Sequence, residues 1–390
     1  MKPSLQTVER LKKIKESGIR RFFTLGQKNP STINLSLGEP DFAPPEHALD
    51  ANCEAAREEK THYTPTKGVA ELLESLARKA YQDYSLRYDP ASEILVTVGG
   101  TEAIFVSLLA MVNEGDEILI PDPGFVVYEP SVLIAGGVPI HIPLNEKNSF
   151  KPSIKDVISL ITNKSRVIIL NSPNNPTGAV LSFKELAALA KIAVEFDLIV
   201  ISDEVYEKII YDNAKHYCFA AFRGMRERTL VINSFSKTYA MTGLRIGYVY
   251  GSKELISRIS LVHQYAVACV NSLAQFIALA ALDDSRDFVS NMVKEFDRRR
   301  HLVYGRLNEI GSIRCTLPKG AFYVFPNIKD FGMCSEKFVE FLANEANVIS
   351  VPGPAFGSYG EGYIRISYAA AYEQLVDALG RIERAIAHIE

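Results

Sequence analysis

Several chemistries are excluded by what the chain lacks. It has no C-x-x-C pair, and its five cysteines, Cys53, Cys218, Cys269, Cys315 and Cys334, are odd in number and scattered. That pattern argues against a disulfide framework and against cysteine-bound zinc. It fits reduced thiols packed as small hydrophobes, so a cytoplasmic setting is expected. The seven histidines form no H-x-x-x-H pair, so no metal is expected. No G-x-S-x-G is present, which removes a hydrolase nucleophile elbow. Neither G-x-G-x-x-G nor G-x-x-x-x-G-K-[ST] occurs, so dinucleotide and P-loop readings fail. No run approaches the roughly 18 apolar residues of a membrane-spanning helix. The segment Met1 to Gly18 is charged and has no apolar stretch, so no secretory leader is expected. Neither sign of charge dominates: the formal net charge is -3. Nothing in it points to nucleic acid or an acidic membrane as a partner.

What is present is a long, well-mixed chain. Its 390 residues are 47% hydrophobic, enough to bury roughly three quarters of the unfolded surface without staples. Short β-branched runs alternate with helical patterns. Strands are predicted at Ile94–Val98, Glu117–Pro121, Val138–Ile142, Arg166–Leu170, Leu198–Ser202, Thr229–Ile232 and Ile246–Tyr250. Helices are predicted between most of them, including Glu102–Asn113, Phe183–Phe196 and Lys253–Ala268. This alternation predicts an α/β fold with a mainly parallel sheet covered on both faces. The last hundred residues read differently. A charged helix, Arg286 to Leu307, precedes strands around Ala321–Phe325, Val348–Val351 and Tyr363–Ser367 and a terminal helix, which predicts a smaller α+β domain. The Pro-rich EPDFAPP patch, Pro40–Pro45, reads as a connecting turn.

Ligands of parallel α/β sheets sit at the carboxyl ends of the strands, and polar residues gather there. Gly99-Gly100-Thr101-Glu102 follows the first strand and opens a helix, as an anion cradle or as a plain turn. Phe125 follows Pro121-Asp122-Pro123-Gly124 and is either a ring-stacking aromatic or core. In Asn171-Ser172-Pro173-Asn174-Asn175-Pro176-Thr177-Gly178, Asn175 is a hydrogen-bond donor to a ligand oxygen or part of an Asx-turn. Asp203 ends a strand with no water on either face. It wants a cation or a protonated ring nitrogen, unless it caps a helix. Tyr206 lies three residues on. Ser234, Ser236, Lys237 and Arg245 share one loop. The hydroxyls and guanidinium suit a phosphate, and Lys237 is the nucleophile there able to form an imine. Arg365 sits mid-strand among apolar neighbours, suited to clamp a carboxylate or to close an internal ion pair.

These pieces resemble the fold-type-I pyridoxal 5'-phosphate (PLP) aminotransferases of class I/II, and within them the archaeal aspartate/aromatic type. The resemblance covers nearly the whole chain, from NLSLGEP (Asn34–Pro40) through HYTPTKG, NSPNNPTG, SDEVY and SFSKTYAMTGLRIGY (Ser234–Tyr248) to Arg365. It implies a large PLP-binding domain over 47–282. The small domain would be built from 1–46 and 283–390. It implies that Lys237 carries PLP as a Schiff base, that Asp203 pairs with the pyridine nitrogen, and that Tyr206 and Asn175 bond the phenolic oxygen. Phe125 would stack on the ring. Gly100, Thr101, Glu102 through backbone, Ser234, Ser236 and Arg245 would hold the phosphate, with Tyr63 reaching that of a neighbouring subunit in a homodimer. Arg365, Asn175 and the Gly38 backbone would bind the substrate carboxylate.

The implied reaction is ping-pong amino transfer between an amino acid, aspartate or aromatic, and 2-oxoglutarate, a 2-oxo acid. Tyr63, Phe125 and Tyr128 favour an aromatic side chain, while Arg20, Arg21 and Lys28 are candidate cations for a dicarboxylate. A PLP-dependent β-lyase or a cyclopropane-forming synthase shares these motifs. A non-catalytic PLP sensor fused to a DNA-binding helix-turn-helix is disfavoured, because the fold's own motif begins by Asn34. Lys237→Ala is expected to abolish the imine absorbance and nearly all turnover. Borohydride trapping and peptide mapping should place the label on Lys237; a label on another lysine overturns the assignment.

Overall fold

The apolar runs become strands because each is hydrophobic on both sides and can only be satisfied between two helical layers. The computed structural model describes residues 8–14, 18 and 31–388. After a short strand β1 (Ile33–Asn34), the main sheet is formed by β2 (Ile94–Thr97), β3 (Glu117–Asp122), β4 (Val138–Asn145), β5 (Lys151–Pro152), β6 (Ser165–Asn171), β7 (Ile199–Asp203), β8 (Thr229–Ser234) and β9 (Gly247–Tyr250). Their order is β2-β9-β8-β7-β6-β3-β4-β5. The pairs among β8, β7, β6, β3 and β4 are parallel; those of β9 with β2 and β8, and of β5 with β4, are antiparallel.

Register decides which residues meet at the sheet's carboxyl edge. Asn171 pairs with Asp203 across β6 and β7. Gly247 of the antiparallel β9 faces Ser234 on one side and Thr97 on the other. Four chemically distinct strand ends are thereby set side by side.

Helix boundaries follow local chemistry. Phe183–Glu195 starts at a capping box in which Ser182 Oγ accepts from the Glu185 N–H and the Glu185 carboxylate accepts from the Ser182 N–H. The helix expected from Glu102 begins at Gly99 and ends at Met111. Gly99, at φ +74°, needs no linker between strand and helix. The terminal helix Tyr372–Ile386 buries Leu375, Ala378, Leu379, Ile382 and Ile386, the spacing of one helical face.

The remaining strands are β10 (Tyr323–Val324), β11 (Val348–Ile349), β12 (Val351–Pro352) and β13 (Ile364–Ser367). The run read as one strand, Val348–Val351, is split. Its first half, β11, pairs in parallel with β1, and its second half, β12, pairs antiparallel with β13. Ser350 lies between them, fully buried. Leu35 is clamped in the same seam: its N–H donates to Ile349 O at 2.8 Å, and its carbonyl accepts from the Ser367 N–H at 2.9 Å. Residues 36–45 then run irregularly to the helix Glu46–Arg57, as the Pro-rich turn requires.

The helix Arg286–Glu309 packs beside Tyr372–Ile386 and β10. Phe296 on it is fully buried, edge-on to Phe42 at 5.6 Å and beside Phe322 at 5.4 Å between centroids. Truncating it removes both contacts in a closed core. Phe296→Ala is expected to cost about 3–5 kcal/mol in denaturant unfolding; a loss below about 1 kcal/mol, within ordinary surface-mutation range, means that this core repacks freely.

Candidate active site

The sheet's carboxyl edge and the seam above it enclose a cavity of about 270 Å³. Of the candidate residues, Gly38, Gly100, Thr101, Phe125, Asn175, Asp203, Tyr206, Ser234, Ser236, Lys237, Arg245 and Arg365 all line it. Residues separated by more than three hundred positions meet because the segment after β1 delivers Gly38 and β13 delivers Arg365 to the ends of β7 and β8.

One end of the cavity is built for an anion. Gly100 and Thr101 lie in the first turn of Gly99–Met111, a helix whose N-terminus has no side-chain cap. Free N–H groups and the helix dipole therefore face the cavity. Ser234 Oγ and Ser236 Oγ stand 2.9 Å apart beside them. Arg245 closes the group, donating from Nη1 to Thr242 O at 2.9 Å. A Cβ at Gly99 would come within 2.6 Å of Arg245 Nη2, so only glycine lets the guanidinium lie against the helix start. Glu102 does not line the cavity. Its carboxylate turns back, accepting from the Val98 N–H at 2.7 Å and contacting His263 Nδ1 at 2.7 Å.

The middle of the cavity holds Lys237 and Asp203, both buried. Burial brings the Lys237 amine down to about 8. Arg365 and Arg245 push the same way, while Glu39 and Asp203 oppose. Its Nζ donates to the Gly38 carbonyl. Burial pushes the Asp203 carboxyl up to about 6 against the hydrogen bond from Tyr128, whose Oη donates to Asp203 Oδ2 at 2.6 Å. No helix starts at Asp203, so it is not an N-cap. Tyr128 is correspondingly not a reader of the substrate side chain, contrary to expectation: it is fully buried with its hydroxyl committed to Asp203.

The third part is a guanidinium without an acid. Arg365 is 1% exposed. Its Nη1 donates to Asn175 Oδ1 at 3.0 Å and its Nη2 to the Ser36 carbonyl. Its Nε has no partner among the described residues. No carboxylate pairs with Arg365 or Arg245 among those residues. The expected Asx-turn is supplied by the neighbouring Asn174, whose Oδ1 accepts from the Thr177 N–H at 3.1 Å, which leaves Asn175 to the cavity.

Several lining residues were missed from the sequence: Leu37, Glu39, Thr242 and Tyr323. Tyr323 carried one readable signal, its place in the strand that pairs beside Arg365, with Tyr323 opposite Ser367. Tyr63, by contrast, is 92% exposed and outside the cavity. Arg20, Arg21 and Lys28 lie outside the described residues.

The donor set fits PLP. Two hydroxyls, an arginine and a helix N-terminus suit a phosphate dianion, a buried carboxyl suits a pyridinium, and an amine lies between them. Comparison with known proteins agrees. The family model for aminotransferase class I and II matches residues 30–382. An aspartate aminotransferase of Pyrococcus abyssi is 46% identical over 97% of each chain. An aromatic-amino-acid aminotransferase of Thermococcus litoralis is 44% identical over 97% of each. A solved aspartate aminotransferase of Thermus thermophilus, with maleate, superposes with a TM-score of 0.93 at 36% identity, covering 98% of this chain and 100% of that one. The fold is that of the PLP-dependent transferases of fold type I. The chain belongs to the class I and II aminotransferases and is an enzyme of amino-group transfer.

Arg365→Lys should chiefly raise KM for the amino acid, because an ammonium cannot make the paired carboxylate contact. Steady-state kinetics with kcat and KM separated check this, and an unchanged KM means that another cation binds the carboxylate.

Proposed function

We propose that this enzyme moves an amino group between aspartate or an aromatic amino acid and 2-oxoglutarate, by alternating half-reactions on one PLP. The observation that carries this reading is the joint burial of Lys237, Asp203 and Arg365 around one cavity. Bound there, PLP supplies an electron sink for the charge left at the substrate α-carbon.

Lys237 would hold the cofactor covalently through its Nζ. Freed by the substrate amine, it would be a base, because burial lowers its pKa from the ordinary lysine value and makes the neutral form accessible at mildly alkaline pH. Its Nζ would take the proton from the substrate α-carbon and return it during amino transfer. Asp203, held by Tyr128, keeps the ring nitrogen protonated, because a carboxylate buried without a cation is costly. Tyr206 and Asn175 hold the phenolic oxygen and Phe125 covers the ring. Gly100, Thr101 and Glu102 through backbone, with Ser234, Ser236 and Arg245, hold the phosphate. Arg365, with Asn175 and the Gly38 backbone, orients the substrate carboxylate so that the α-hydrogen faces Lys237.

Tyr63 lies outside its own cavity with almost no cover, which supports a homodimer in which it completes the neighbouring site. The domain division at 46/47 and 282/283 belongs to the same reading, as does a cytoplasmic location. No helix among the described residues is long and apolar enough to cross a membrane.

An amino-donor screen against 2-oxoglutarate, read at the cofactor absorbance band, tests the reading. Aspartate or an aromatic amino acid should convert the enzyme to its amine form in the absence of oxo acid, and 2-oxoglutarate should restore it. Turnover confined to alanine or branched-chain donors refutes the substrate reading, and a failure to cycle indicates a lyase.

A further inference from the structure

Tyr323 stands where the cofactor-facing and substrate-facing halves of the cavity meet. Three independent contacts converge on it. Its hydroxyl lies 2.8 Å from the hydroxyl of Tyr206. Its ring lies under the Arg365 guanidinium, 4.4 Å from centroid to Cζ. Its hydroxyl is also the atom that a Cβ at Gly38 would strike, at 2.3 Å. Tyr323 is 1% exposed, and neighbouring rings hold it: Phe322 at 4.8 Å and Tyr206 at 5.8 Å, the latter edge-on. Its backbone is fixed as well, because β10 is hydrogen-bonded to β13, the strand that carries Arg365.

From this placement we infer that Tyr323 is a positioning residue for both halves of the reaction: its hydroxyl orients Tyr206 toward the cofactor, and its ring seats Arg365 for the substrate carboxylate. Each half has a physical cause. Two phenols in one hydrogen-bonded chain polarise each other in a dry site. When Tyr323 donates to the oxygen of Tyr206, Tyr206 becomes the stronger donor to its own partner and is fixed in direction. The ring acts separately. A guanidinium with no carboxylate must be stabilised before substrate arrives, and an aromatic face does so without occupying the N–H groups that the substrate needs. An acid in the same place would neutralise Arg365 and compete with the substrate. The second aromatic face, Phe356 at 4.8 Å, leaves the guanidinium edge toward the cavity equally free. Gly38 completes the arrangement: with no side chain, it lets the Tyr323 hydroxyl reach Tyr206 beside the segment whose carbonyls meet Lys237 and Arg365.

The inference rests on the roles given above to Tyr206 and Arg365, and two variants of the holoenzyme separate its two halves. Tyr323→Phe keeps the ring and the volume and removes only the hydroxyl. In a pH titration of the bound cofactor's visible band, its midpoint should move upward by about half a pH unit or more, because Tyr206 loses the donor that sharpened it. KM for the amino donor should stay unchanged. Tyr323→Leu removes the ring as well, and KM should then rise about tenfold, the scale of a desolvated cation–π contact. The Kd of hydrocinnamate, a carboxylate that cannot transaminate, should rise in parallel in the Leu variant alone. A residue that merely filled space would lower thermal stability in the Leu variant and leave the Tyr323→Phe titration on the wild-type curve. That unchanged titration overturns the proposal, as does an equal rise in KM in both variants. Absence of the visible band from wild-type protein would instead defeat the underlying PLP reading, so the two failures are distinguishable.

Discussion

Desolvation is the constraint on which the rest of the site depends. An amine, a carboxyl and a guanidinium are taken out of water within one small cavity, and among the described residues none is neutralised by a side-chain ion pair. Each departs from its ordinary acidity in the direction that burial demands: Lys237 and Arg365 down, Asp203 up. Such groups are costly in a folded core and are retained where a ligand supplies the missing partner. The cavity is therefore half of an electrostatic pair. On the proposed function, a phosphate, a pyridinium and a substrate carboxylate would be the three charges that complete it.

Elsewhere in the molecule, buried charges are answered internally, and the contrast is instructive. Arg300 is fully buried, yet it is bonded to both oxygens of Asp212 at 2.7 and 2.8 Å and lies 4.4 Å from the ring centroid of Tyr211. Lys79, also buried, has Glu207 and Asp83 each at 2.6 Å. Those groups are closed networks that fix helix Arg286–Glu309 and the flank of the main sheet. The open charges occur at the ends of β7 and β8, in the loops that follow, and at Arg365 within β13, which is brought over those ends.

Much of this was legible in the sequence because strand ends are punctuated by residues whose chemistry makes no sense in a core. Asp203 after an apolar run, Ser234, Ser236, Lys237 and Arg245 in one loop, and Arg365 inside a strand each announce a missing partner. The strands themselves were readable because burial on both faces forces unbroken apolar runs. What could not be read has a common cause. Tyr128, Tyr323 and Phe125 look alike in sequence, as aromatics beside apolar neighbours, and only packing assigns the first to Asp203, the second to Tyr206 and Arg365, and the third to the cavity wall. The split of Val348–Val351 was hidden for a similar reason. Each half satisfies the same local propensity, and the decision to join different sheets is made by partners far away in the chain. Glu102 was expected at the anion cradle through its backbone alone, and its side chain turns to the helix start and His263.

The seam at Leu35 carries a consequence for how the enzyme comes into being. Strand β1 and Leu35 are held by β11 and β13, so the carbonyls of Ser36 and Gly38 are fixed at the cavity only after those two strands have been made. Lys237 and Arg365 wait for acceptors that lie 199 and 329 positions upstream. Contacts across such separations form late, because the loop entropy must be met before they contribute. A chain still emerging from the ribosome can therefore own a finished main sheet and yet have no reactive centre. Chemistry is withheld from every incomplete copy by the topology itself.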